Sequence, residues 1–336
     1  MDFFHMYLPF VNQQFNVLLL LGLGFAVGVL AGFFGMGGGW VVAPALYSLG
    51  FPMHYAIGTG LANITAQSAL ATVKHRKMGN VDYTLGIATG LPMMGGVELG
   101  KRLVAWLAAQ GLSGAVIGWV YVALLVSLAA FVIHDYLAER KNSKDGQEEL
   151  DTEDTRPALL RIPPVIRLKS CDVEVSFWAL LALGLFIGFL AGMLGSGGGF
   201  ALVPAFVYLV GTPTMIAVGT SLVCVMISGS YGAFTYGLNG FVELTAALWL
   251  VGGAIVGAQL GAAATTHVRG YGIRLLYAVM LLFASTGLVL KQLAVMPNAE
   301  GDSRIAPVII LGGALFMCAL IIGNMVISWL AKRRPV

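Results

Sequence analysis

The chain has 336 residues, 58% of them hydrophobic and only 10% charged, with a mean hydropathy of +0.86 and a net charge of +3. Soluble domains carry about a quarter charged residues, so this composition excludes an ordinary water-soluble enzyme and makes the lipid bilayer the solvent. Length therefore counts membrane spans, and no nucleic-acid partner is expected.

The N-terminal stretch MDFFHMYLPFVNQQF has no Lys or Arg, unlike a secretory signal, and reads as part of the mature protein. Apolar segments follow at about 17–50, 54–73, 82–107 and 114–137. A polar stretch over 138–175 reads as a solvated linker. Further apolar segments lie at 176–210, 214–235, 241–266, 272–292 and 306–331. Cys171, Cys224 and Cys318 are isolated, and five scattered histidines form no ligand spacing, so neither a metal nor a cofactor is expected.

Two segments are near copies. GFAVGVLAGFFGMGGGWVVAP begins at Gly24 and GLFIGFLAGMLGSGGGFALVP at Gly184, an offset of 160 residues. With one insertion the correspondence continues: Gly58, Thr59 and Leu61 match Gly219, Thr220 and Leu222, and Gly96, Glu98 and Gly100 match Gly257, Gln259 and Gly261. The chain thus divides into a first repeat at 17–137, the linker, a second repeat at 176–292 and an appended helix at 306–331. Duplicated, glycine-interrupted segments in an apolar chain point to a transporter's binding site.

Segments 17–50 and 176–210 are too long for one simple span, and each glycine costs a helix interior roughly 0.8–1 kcal/mol relative to alanine. Either each segment crosses, or each is a re-entrant hairpin. The hairpin arrangement with the N-terminus outside puts the KHRK loop after segment 54–73, the linker, Arg269, Arg274 and the tail Lys332–Arg334 on one side. Lys101, Arg102, Lys291 and Arg304 remain on the other. That asymmetry favours a periplasmic N-terminus and a cytoplasmic C-terminus. The predicted fold is an all-α polytopic membrane protein of two inverted repeats, with about seven full spans and two glycine-broken re-entrant hairpins.

Three groups of residues could carry function. Gly24, Gly28 and Gly32, like Gly184, Gly188 and Gly192, have the spacing of close helix packing. Gly35, Gly37, Gly38 and Gly39, with Gly195, Gly197, Gly198 and Gly199, read instead as helix breaks whose N–H groups could hold an anion. GMGGG is not a dinucleotide loop, because no βαβ unit surrounds it. Second, Thr59, Asn63 and Gln67 stand at i, i+4 and i+8, and Thr220, Cys224 and Ser228 repeat that stripe. They would serve either as interhelical hydrogen bonds or as a cavity lining. Third, Glu98 is either an intramembrane carboxylate for ion coupling or an interfacial partner of Lys101 and Arg102.

The pattern VGVLAGFFGMGGGWVVAP, followed by AIGTGL, KHRKMGNVDY and GGVELG, resembles the TauE/SafE family of sulfite exporters. The second copy carries IGFLAGMLGSGGGFALVP, AVGTSL, NGFVEL and VGAQLG. The resemblance implies a bacterial inner-membrane permease for sulfite or a related organosulfonate, with the glycine and proline motifs at Gly35, Gly37–Gly39, Pro44, Gly195, Gly197–Gly199 and Pro204. The expected function is a secondary transporter, an exporter of a small sulfur-containing oxyanion. It would alternate access by rocking its two repeats, with H+ or Na+ as coupling ion and a homodimer allowed. A passive anion channel is the alternative, and a membrane scaffold or enzyme subunit a more distant one.

Overall fold

The computed structural model describes residues 5–9, 13–34, 38–142, 163–168, 173–264, 270–294 and 305–332. Eleven α-helices dominate them: α1 (Val17–Phe34), α2 (Gly39–Ser48), α3 (Met53–Lys77), α4 (Tyr83–Ala109), α5 (Ser113–Asn142), α6 (Phe177–Leu194), α7 (Gly199–Pro204), α8 (Thr214–Leu238), α9 (Leu244–Ala264), α10 (Gly270–Ala294) and α11 (Ile305–Lys332). A π-helical turn, Ala205–Val210, continues α7. Six of these helices are long and apolar enough to cross a membrane: α1, α5, α6, α8, α9 and α11. α3 and α4, at 25 and 27 residues, are also long enough to span. α3 is less apolar because polar residues run along it and four basic residues close it.

Two short antiparallel hairpins were not expected. β1 (His5–Leu8) pairs with β2 (Gln13–Asn16) ahead of α1, and β3 (Val165–Leu168) pairs with β4 (Val173–Ser176) ahead of α6. The second occupies the last part of the stretch expected as linker, and α5 takes its first residues; residues 143–162 lie outside the described ones. Each hairpin has four-residue strands and leads directly into a glycine-rich helix. Four-residue runs such as QQFN and VEVS are too brief to stand out as strands from the sequence. The bounds of β1, β2 and α1 recur in β3, β4 and α6 at the same offset of 160 that relates the glycines.

The glycine spacing decides the packing. Gly24, Gly28 and Gly32 press against the backbone of α9 at Leu250, Ala254 and Ala258, while Gly253, Gly257 and Gly261 of α9 press back on Leu21, Phe25 and Val29. α4 and α6 are joined in the same way: Gly184, Gly188 and Gly192 lie on Thr89, Met93 and Val97. Small residues let backbones approach where lipid supplies no hydrophobic force between helices. Each hairpin is therefore followed by a helix seated on one from the other half of the chain.

α3 and α8 form the centre and run antiparallel. Gly58, near the start of α3, meets Phe241 past the end of α8, and Gly219, near the start of α8, meets Asn80 past the end of α3. α5 and α10 also run antiparallel, since the Gln292 amide near the end of α10 donates to the Gly114 carbonyl at the start of α5 (2.8 Å). α11 packs outside, its Cys318 thiol donating to the Ala26 carbonyl (3.2 Å). Trp40 and Phe200, just past the two breaks, are fully buried in one apolar cluster, whereas Trp106, Trp119 and Trp178 are exposed on the periphery.

Candidate functional site

Both long glycine segments reverse direction at their glycine runs. A Cβ added to Gly38 would strike Val27, two turns back along α1, and the Phe51 ring comes within 4.9 Å of Phe15, ahead of α1. The chain thus goes in along α1 and returns along α2 to the side it left. In the second copy Gly198 meets Ile187 in the same manner. Gly38 (φ 62°) and Gly198 (φ 81°) are the N-caps of α2 and α7, and Gly195 and Gly197 also have positive φ (70° and 67°). Those angles favour glycine because an L side chain would clash there. Gly35 and Gly37, assigned to the first break, lie outside the described residues.

The two breaks touch. A Cβ on Gly39 would lie 3.0 Å from the Gly195 carbonyl, and Gly195 abuts Ile57 of α3. The N-cap glycines themselves supply no side-chain cap, although the Gly198 N–H lies 3.5 Å from the Ser196 hydroxyl, and the positive end of α2 faces inward beside the side chains of α3. Ile64 presses on Gly39, and the Gln67 Oε1 stands 3.0 Å from where a Gly38 Cβ would be. Ser228, its counterpart on α8, donates to the Gly197 carbonyl (3.1 Å).

The two polar stripes divide by partner. Thr59 accepts the Glu243 N–H (3.0 Å) and Thr220 accepts the Asp82 N–H (2.9 Å), so these threonines hold each other's loops. Cys224 donates to the Gly86 carbonyl (3.2 Å). These three, with Ser228, act as interhelical bonds. Asn63 and Gln67 differ: they are fully buried, yet among the described residues neither amide has a hydrogen-bond partner at its oxygen or its nitrogen. Leaving a buried polar group unpaired costs about 1–3 kcal/mol, so two carboxamides side by side are a poor packing solution and a good lining for a polar ligand. Thr89 on α4, and Ser68 and Thr72 on α3, are also buried with hydroxyls that lack a partner among the described residues, and His75 on α3 is fully buried. Ser68, Thr72 and His75, at i, i+4 and i+7, lie on a different face of α3 from Asn63 and Gln67. The sequence offers their spacing as a signal, but the KHRK residues, His75 among them, read there chiefly as setting orientation.

Glu98 stands apart from this group. Its carboxylate pairs with Lys101 (2.8 Å) and Arg102 (2.9 Å) and accepts from the Tyr231 hydroxyl (3.3 Å), with the side chain 23% exposed. That is the paired arrangement. No group of three or more His, Cys, Asp or Glu that could hold a metal occurs among the described residues.

A family model described as "Sulfite exporter TauE/SafE" matches residues 20–288. The chain is 27% identical to the probable membrane transporter protein YunE of Bacillus subtilis, over 82% of this chain and 98% of that one. It is 23% identical to YdhB of the same organism, also a probable membrane transporter protein, over 81% and 99%. A probable membrane transporter protein of Methanocaldococcus jannaschii, MJ0441, is 23% identical over 67% and 76%. No solved structure matches. A match across both glycine segments, with relatives covered almost end to end, settles the assignment: the chain belongs to the TauE/SafE family and is a multi-pass membrane transporter.

Proposed function

We propose that the protein carries a small sulfur-containing oxyanion, sulfite or an organosulfonate, across the bacterial inner membrane by alternating access around the paired glycine breaks. The observation that carries this proposal is the meeting of both breaks beside Asn63 and Gln67, two buried carboxamides with no partner among the described residues. Carboxamide N–H groups and the N-terminal turn of α2 supply neutral donors. They bind an oxyanion through charge and shape without the tight ion pair that would slow its release.

The packing suggests which bodies move. Since α1 rests on α9 and α6 on α4, the rigid units are mixed from both repeats: α1, α2, α3 and α9 against α6, α7, α8 and α4. They meet along α3 and α8, whose antiparallel run matches the relation that inverted repeats would have. Rocking across that contact would open the site to one face and then the other. The basic residues support a cytoplasmic C-terminus.

Counterflow in proteoliposomes with sulfite, methanesulfonate and thiosulfate tests the proposal. Wild-type protein should exchange at least one of them, and Asn63→Leu and Gln67→Leu should each lower exchange by more than about tenfold, the loss of one good polar contact. Gly38→Leu and Gly198→Leu should abolish it. Wild-type exchange in all four variants would refute the site.

A further inference from the structure

A second polar stripe on α3 is not used by the anion site. Ser68, Thr72 and His75 stand at i, i+4 and i+7, on one helical face, beginning one residue after Gln67. Ser68 and His75 are fully buried and Thr72 is 6% exposed. Among the described residues neither hydroxyl has a hydrogen-bond partner, and the imidazole has at most a weak one in the Gly32 backbone of α1. Asn63 and Gln67 lie on a different face of the helix, so α3 carries five buried polar side chains on two faces between the glycine breaks and its basic end at Lys74–Lys77. Buried polar groups that lack protein partners hold water where there is room for it, and Ser68, Thr72 and His75 put such groups on one face. The imidazole is the one group on it that changes charge near neutral pH, with an ordinary pKa of about 6.5.

We propose that His75 is the proton-binding residue of this transporter, reached along the Ser68–Thr72 stripe and coupled to the anion at the glycine breaks. The proposal rests on the transport function above. One proton from the water at the basic end binds a neutral imidazole nitrogen. The imidazolium offsets one negative charge of the anion, and the same proton returns to water when the site opens to the opposite face. A buried imidazolium is unfavourable alone, so protonation and anion occupancy favour each other, which is what coupling requires.

The surroundings of the ring leave that role to the anion. The Gly32 backbone of α1 lies beside it. Neither α1 (Val17–Phe34) nor α9 (Leu244–Ala264) contains a titratable side chain. On α3 itself, the Lys74 ammonium donates to the Gln259 carbonyl of α9 (2.6 Å), Arg76 lies over the Tyr83 ring of α4 (5.9 Å), and Lys77 is exposed. Asp82, in the following loop, caps α4 by accepting the Leu85 N–H (3.0 Å). His134 of α5 is exposed, while Tyr231 of α8 is turned to Glu98 and Tyr236 to the Gly192 carbonyl.

The test compares wild type with His75→Gln and His75→Asn in proteoliposomes, using whichever of methanesulfonate and thiosulfate, anions of fixed charge, exchanges in counterflow. A one-unit pH gradient should drive wild-type accumulation up to about tenfold per proton. Both variants should keep counterflow at equal pH and lose the accumulation, and retained counterflow certifies that they fold. Accumulation by either variant overturns the proposal. So does loss of counterflow together with accumulation, which would make His75 part of the anion path. Wild-type exchange that ignores the pH gradient overturns it while leaving the transport function standing. Absence of any wild-type exchange instead defeats the transport function itself.

Discussion

Substituting alanine for Gly28 would test what holds α1 to α9. A Cβ there would sit 2.5 Å from the Ala254 carbonyl oxygen and 2.8 Å from the Ala254 Cα. Ordinary contacts to carbon lie at about 3.5–4.0 Å, so the helices must part by about 1 Å at that point. Both neighbours are backbone, so no side chain can swing aside. The whole glycine seam must yield, and overpacking of this kind costs about 1–3 kcal/mol. Gly22, on the same helix, supplies the control: among the described residues a Cβ there meets nothing within 4 Å. Both substitutions carry the same gain in helix propensity, so their difference isolates the steric effect. In thermal unfolding followed by tryptophan fluorescence in detergent, Gly28→Ala should melt roughly 2–10 °C below Gly22→Ala. Gly188→Ala in α6, whose Cβ would be 2.6 Å from Met93 Cα, should behave like Gly28→Ala. Variants melting within about 1 °C of each other would refute the seam argument.

Two further outcomes are expected. Thr59→Val and Thr220→Val each remove the acceptor for a buried N–H, of Glu243 and Asp82 respectively. Each should destabilise by about 1–3 kcal/mol in the same assay, and the serine variants should recover most of it; valine variants as stable as wild type would mean the hydroxyls hold nothing. For orientation, a reporter fused after Gln110, in the exposed α4–α5 turn, should read periplasmic, and one after Gly146 cytoplasmic; the reverse readout overturns the charge argument.

Much of this fold was legible because glycine is informative in an apolar chain. Its four-residue spacing separated Gly24, Gly28 and Gly32 from the break that follows, and the structure keeps that division. What the spacing could not name was the partner. A glycine face specifies a close backbone and carries no address, so the swap of α9 and α4 between repeats became visible only in three dimensions. The polar stripes show the same limit. Thr59 and Asn63 lie one turn apart and look alike in sequence, yet one bonds a loop and the other has no partner. Which of them is satisfied depends on α8 and the loop ahead of α9, far along the chain. Glu98 was ambiguous for a simpler reason: Lys101 and Arg102 follow at i+3 and i+4, and geometry alone decides whether such neighbours reach back.

The seating of α1 on α9 sets a timetable for biogenesis. When α1 leaves the ribosome its partner is still some 230 residues away, since α1 ends at Phe34 and α9 at Ala264. At about 5–20 residues per second that is a delay of roughly 10–50 s. Throughout it the bare glycine face must be shielded by lipid, the insertion machinery or a chaperone. α4 waits in the same way for α6. Neither half of the chain can mature first, so a protein cut in the linker should assemble only when both pieces are made together.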